Sequence, residues 1–326
     1  MYCYKQSGLN IVLISLQYLS KKILKRNITR KKFISTAVSG LAGIKMIPYL
    51  RSVRVTEISL RRRLGKTGIM VPPVCFGATR TNDESLIKYA IDKGFTFIDT
   101  GRSYANGNNE RLVGRAVSGI RNNVVIQSKL RLDPNELPAE GKGKKGAEEI
   151  KSALNSKLEA SLKALGSDYI DILLYHDASL ENLLFHTEVM RFFADLKSSG
   201  VIKACGFSTH NDLMNLHERN NRELFYDVIM VPFNHKGSFV HSVTGNFSEW
   251  DQNRLISALT EAGKKGIGVI AMKTCSGGKY SPSPDIEPGY PEAVRWVIRH
   301  PYISSAAVAM ANFEQVSEHI PLLNDL

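Results

Sequence analysis

Cysteine is scarce in this chain of 326 residues, with four in all. Cys3, Cys75, Cys205 and Cys275 form no C-x-x-C pair, which argues against a disulfide framework, a zinc site or an iron–sulfur cluster. No metal is expected. Acid is missing from one end: residues 1–65 carry 14 lysines and arginines but a single acid, Glu57. From residue 66 onward, 29 basic side chains meet 30 acidic ones. The net charge of +12 therefore belongs to a leader. No basic, aromatic-interleaved patch follows it, so a nucleic-acid partner is not expected. A glycine-rich phosphate turn is missing too. The first strand-like run is followed by Gly77-Ala78-Thr79-Arg80-Thr81, with no G-x-G-x-x-G.

The leader has its own pattern. Ile28-Thr29-Arg30-Lys31-Lys32-Phe33-Ile34 runs into the small, weakly apolar stretch Ser35 to Ile44. At roughly 12 residues that stretch is too short for a comfortable membrane span. It resembles a twin-arginine export signal with lysine in the second arginine's place. The expectation is a leader over residues 1–56, serving as export signal or membrane anchor plus linker, and a domain over residues 57–326. The location expected is periplasmic or membrane-anchored, and cytoplasmic if the leader does not function. A disordered basic tail is the plainer alternative.

The chain has 43% hydrophobic residues, enough for a large core. Leu64 to Val71 reads as a small hairpin turning at Gly65–Gly68. Apolar runs and amphipathic stretches then alternate. Strands are predicted at Val74–Gly77, Phe97–Asp99, Val124–Ser128, Ile170–Tyr175, Ala204–Ser208, Val228–Pro232, Val269–Met272 and Ala306–Ala309. Helices are predicted between them, several ending at a glycine. Continuous apolar strands imply a parallel sheet. Eight such units in about 260 residues predict an α/β fold, a (β/α)8 TIM barrel with a short N-terminal hairpin. Three long connections follow Lys129, Asn234 and Lys273, at the strand ends where a barrel keeps its site.

Four polar residues stand out at those ends. Asp99 follows Phe97-Ile98, with Tyr104 five residues on. Lys129 follows Val124-Val125-Ile126. His176 follows Ile170 to Tyr175. An ionisable group at the end of a buried strand is costly unless it is paired or does chemistry. Each alone has a bland reading: a turn cap, a packed ring, a solvated lysine, a core histidine. Together they read as a proton-transfer site.

At this point a resemblance enters. Phe97–Tyr104 with Gly107-Asn108-Asn109-Glu110, Ser128-Lys129, Tyr175-His176, Gly206-Phe207-Ser208 and Gly268 to Lys273 resemble the aldo/keto reductase family over residues 59 to 324. The resemblance implies an NAD(P)H-dependent oxidoreductase reducing an aldehyde or ketone to an alcohol. The small-molecule carbonyl is the expected partner. It implies Tyr104 as general acid, Lys129 beside it, Asp99 as the counter-charge and His176 orienting the carbonyl. A free phenol, with a pKa of about 10, donates poorly at neutral pH, and a nearby ammonium lowers that value.

The cofactor residues implied are Ser208, Met272, Lys273, Met310, Gln315 and Glu318. Gln315 takes the place of an arginine common in the family, and Met230 that of a frequent glutamine. An amide grips phosphate less well than a guanidinium, so NADP(H) is the expectation and NAD(H) stays open. Two other functions are consistent with the residues. One is a nicotinamide-binding barrel with a sensory or regulatory role. The other is a lyase using Lys273 as a Schiff base. The sequence assigns no oligomeric state.

Overall fold

Short strands with few polar side chains are buried on both faces only when helices wrap the sheet. A computed structural model, describing residues 60–325 apart from 134–135, 137–142, 180–182, 211 and 242–243, shows that arrangement. The barrel strands are β3 (Val74–Gly77), β4 (Phe97–Asp99), β5 (Val125–Leu130), β6 (Ile170–Tyr175), β7 (Ile202–Ser208), β8 (Val228–Pro232), β11 (Gly268–Met272) and β12 (Ser305–Ala309). Every neighbouring pair is parallel, and β12 returns to β3 to close the ring. Around it lie α1 (Glu84–Asp92), α2 (Asn108–Ala116), α3 (Gly143–Leu165), α4 (Thr187–Ser198), α5 (Leu213–Glu223), α6 (Gln252–Lys264), α7 (Tyr290–Ile298) and α8 (Phe313–His319).

Two separate cores result. The larger lies between strands and helices. The smaller fills the barrel, with Cys75, Phe97, Ile172, Leu174, Val228, Met230 and Ile270 facing inward. The N-terminal hairpin belongs to this inner core. Its strands β1 (Arg62–Arg63) and β2 (Met70–Val71) pair antiparallel, and Leu64, Ile69 and Val71 plug the barrel floor. Gly65 makes the plug fit. A Cβ there would stand 2.4 Å from the Gly266 carbonyl oxygen, and its φ of +54° suits glycine.

One element departs from the sequence reading. The connection after Asn234 is not plain loop: β9 (Ser238–Val240) and β10 (Phe247–Glu249) pair as a hairpin. Phe239 turns inward and is buried, while Val240 and Phe247 are exposed.

The leader, with its Arg30-Lys31 pair, lies outside the described residues. The expectation of a membrane-anchored location is corrected: among the described residues no helix is long and apolar enough to cross a membrane. The 23-residue α3 has the length, but lysines and glutamates run along it.

His217 of α5 points into the outer core. It stacks on Phe207 at 5.7 Å, and neither ring nitrogen has a hydrogen-bond partner among the described residues. Burial holds the imidazole down to about 3. The folded state thus refuses a proton that the unfolded chain accepts below the ordinary histidine value. Stability contributed by neutral His217 is complete above that value and falls as the pH drops towards 3. Denaturant titrations at about pH 7 and about pH 5 should show His217→Leu losing about 2 kcal/mol less than the parent between the two.

Candidate active site

The site is built where β4 and β5 end. Asp99 closes β4, and Lys129 comes one residue before the end of β5. The Lys129 ammonium lies 2.5 Å from Asp99 Oδ1 and donates at 2.8 Å to the Thr100 carbonyl. Lys129 is 1% and Asp99 4% exposed, so the pair sits almost out of water. Burial alone pushes the ammonium towards neutrality. The Asp99 carboxylate, followed by the Tyr104 oxygen, more than offsets this, and the amine sits above its ordinary value.

Tyr104 reaches the pair from the loop after β4. The ammonium is 4.8 Å from the centre of its ring. The loop is pinned by Arg102 N–H donating to the Lys129 carbonyl at 2.8 Å. Behind Tyr104 the chain is strained: Ala105 and Asn106 have φ of 46° and 52°, in the left-handed region. Gly107 follows at φ +81°, where a Cβ would collide with the Arg102 guanidinium. That guanidinium pairs at 2.7 Å with buried Glu110, which also accepts from Ser128 Oγ at 2.6 Å. Asn109 links Thr100 Oγ1 to the Ala78 carbonyl, each at 2.7 Å. The Gly107–Glu110 stretch thus bolts the tyrosine loop to β3 and β5.

His176 completes the group. Its ring meets the Tyr104 ring edge-on, 5.7 Å between centres, and its Nδ1 lies 3.2 Å from Ser103 Oγ. Burial, then the Lys129 charge, hold the imidazole to about 3, so it is neutral in ordinary buffers. The phenol departs from the sequence reading. Burial pushes it above its ordinary value, and the Lys129 ammonium does not overcome that. At neutral pH both groups keep the proton arrangement that lets them hydrogen-bond an incoming oxygen.

The expected cofactor residues divide. Ser208 ends β7 and accepts from the Asp177 backbone N–H at 3.3 Å. Met272 ends β11 and belongs to the barrel core. Lys273 follows with φ of 57°, its carbonyl held by Asn234 Nδ2 at 3.1 Å. Its ammonium lies 5.4 Å over the Phe239 ring, and burial lowers its pKa. Met310 packs into the outer core. Gln315 Oε1 accepts from Ala311 N–H at 2.7 Å, so this amide braces the last loop. Glu318 is exposed on α8.

Other groups went unread in the sequence. Gln127 donates to Asp99 Oδ1 at 2.7 Å. Asp177, next to His176, pairs with Arg131 at 2.7 Å and with His210 at 3.3 Å. The His210 hydrogen bond leads in holding this carboxyl at about 2. A polar residue just beyond a strand end was the available signal for Asp177 and His210.

The sequence profile of the aldo/keto reductase family matches residues 76–319. The chain belongs to the aldo/keto reductase family. It is similar to the uncharacterized oxidoreductase YqkF of Bacillus subtilis (strain 168), 27% identical over 159 residues, 46% of this chain and 48% of that protein. The chain spans about half the length of the curated relatives it matches in this way. Among solved structures it is similar to an aldo-keto reductase of Bacillus halodurans in holo form, at TM-score 0.63 and 20% identity, covering 82% of this chain and 91% of that one. An aldo/keto reductase of Klebsiella pneumoniae in complex with NADP and acetate aligns at TM-score 0.60 and 22% identity, covering 81% and 89%.

In this aldo/keto reductase the buried pair should be felt in stability. Asp99→Asn leaves an uncompensated ammonium, and a loss of about 3 kcal/mol or more is expected in denaturant titration. Glu218→Gln, which breaks the exposed pair with Arg254, should cost less than about 1 kcal/mol.

Proposed function

We propose that this aldo/keto reductase is an NADP(H)-dependent reductase of small-molecule aldehydes or ketones, with Tyr104 as the proton donor. The observation carrying this reading is the phenol beside a carboxylate-held ammonium, with a neutral imidazole across from it. The strand ends next to it fit a dinucleotide. They offer the Ser208 hydroxyl, the Met272 thioether and the half-buried Lys273 ammonium, a cation suited to a phosphate. The Klebsiella pneumoniae structure, solved in complex with NADP and acetate, supports the same choice. Gln315 in place of an arginine argues for testing NADH beside NADPH.

A nicotinamide cofactor supplies the hydride when bound. The chain's residues handle the proton. The neutral His176 ring and the Tyr104 hydroxyl hydrogen-bond the carbonyl oxygen and orient it. As negative charge grows there, the hydroxyl gives up its proton. The Lys129 ammonium stabilises the phenolate left behind, and Asp99 keeps that ammonium charged. Removing the charge on Lys129 would raise the barrier without altering how the carbonyl docks. The domain doing this is inferred to occupy residues 57–326.

Tyr104→Phe removes one oxygen and keeps the ring. Aldehyde reduction should fall by about 100-fold or more, while NADPH binding, read by fluorescence, changes little. Reduction at the parent's rate by this variant would defeat the assignment, and cofactor binding without turnover by the parent would favour a sensor. Because burial raises the phenol, the reduction rate should hold through neutral pH and decline only above the ordinary phenol range of about 10.

A further inference from the structure

Barrel interiors in this fold are packed with apolar side chains, and here the inner core runs from the floor plug up to Met230 and Met272. One fully buried amide interrupts it. Gln127 precedes Lys129 by two residues and so shares its face of β5. Its Nε2 lies 2.7 Å from Asp99 Oδ1 and 3.4 Å from the Met230 sulfur, so the side chain projects into the barrel. Its carbonyl oxygen has no hydrogen-bond partner among the described residues. A buried amide left half-satisfied is worse for stability than an apolar residue of the same shape. Its presence calls for a reason other than packing.

The reason lies in the ion pair above it. A carboxylate and an ammonium shut into an apolar barrel compete with a neutral pair, in which the proton has moved to the carboxyl. Neutral dipoles decide which wins. The Thr100 carbonyl accepts from Lys129, and it is backbone that any sequence would supply. The Gln127 N–H donates to Asp99, and that is a side-chain choice. We propose that Gln127 is a positioning residue of the proton-transfer site, its amide fixing the carboxylate that holds the Lys129 ammonium against Tyr104. The inference rests on the reductase reading above.

The other ionisable groups near Tyr104 do not substitute for it. Cys75 of β3 lies below Asp99 as a buried thiol raised by burial. Glu110 of α2 is occupied by Arg102 and Ser128. His176, after β6, is neutral. Lys129 and Gln127 are the two side chains that hydrogen-bond Asp99 among the described residues.

Gln127→Met keeps the volume and removes both polar atoms. Tyr104 is then titrated by its tyrosinate ultraviolet absorbance, with Tyr104→Phe as the blank. The midpoint is expected to rise by about one pH unit, and kcat for aldehyde reduction at neutral pH to fall about ten-fold, with KM and NADPH affinity within about two-fold. Gln127→Glu donates only when protonated, so it should recover the parent's rate at acid pH and lose it as the pH rises. An unmoved titration with unmoved kcat overturns the inference. So does a loss confined to thermal stability, to KM or to NADPH affinity, any of which would make Gln127 a packing or ligand-contact residue. The titration needs no turnover. A parent enzyme that reduces no carbonyl with either cofactor therefore defeats the reductase reading, and an unmoved Tyr104 midpoint defeats this one.

Discussion

An ammonium held 2.5 Å from a carboxylate at the mouth of an apolar barrel is the constraint on which this site turns. Neither partner tolerates the place alone. Lys129 without Asp99 would be an uncompensated buried cation, and Asp99 without Lys129 an uncompensated buried carboxylate. Such a pair contributes little net stability against an apolar replacement, so its value lies in the charge it keeps. That charge is delivered to one face of one ring. The tyrosine loop carries the strain needed to bring the ring there, with two non-glycine residues in the left-handed region directly after Tyr104. The Arg102–Glu110–Ser128 chain of contacts holds that strain in place.

Burial acts on Tyr104 and His176, the two groups proposed to meet the carbonyl, in opposite directions. It raises the phenol and lowers the imidazole, so both are neutral over the same broad pH range. A charged imidazole would compete with Lys129 in the same small volume, and the ammonium is the second cause holding His176 neutral. One cation thus serves two ends. In the proposed mechanism it stabilises the phenolate that proton transfer leaves, and it helps to keep His176 neutral. The ammonium's pull does not bring the phenol below its ordinary value. In the proposed mechanism its help goes to the developing phenolate and not to making a strong acid in advance.

The barrel was legible in the sequence because its strands are unbroken apolar runs punctuated by helices with glycine ends. Asp99, Lys129 and His176 were legible for a related reason: an ionisable group following such a run stands out. Tyr104 needed the spacing from Asp99, since a tyrosine in a loop announces nothing. Gln127 was hidden because it sits inside a strand, where an amide reads as a weak interruption, and whether it faces barrel or helix is settled only by register. Met310 shows the opposite placement. It follows a strand end like the others, yet its side chain turns to the outer core. The β9–β10 hairpin escaped because three-residue strands lie below what alternation can signal. The phenol's direction escaped because sequence shows which charges exist but not how completely the ring is shut from water.

The two ends of the barrel divide the work physically. At the floor, Leu64, Ile69 and Val71 close the interior with apolar side chains, and Gly65 lets the plug approach backbone to backbone. At the mouth the inward positions turn polar, through Gln127 to Asp99, Lys129 and Ser208. The sealed floor matters to the mouth. Water reaching the ion pair from below would screen it and supply alternative hydrogen bonds to Asp99, and the Gln127 amide would then decide nothing. A dry interior makes a single N–H donor consequential, because an interaction weak in water is strong where no solvent competes. On the proposed role of Gln127, the hairpin that precedes the barrel in sequence helps to set the proton chemistry proposed for its opposite end.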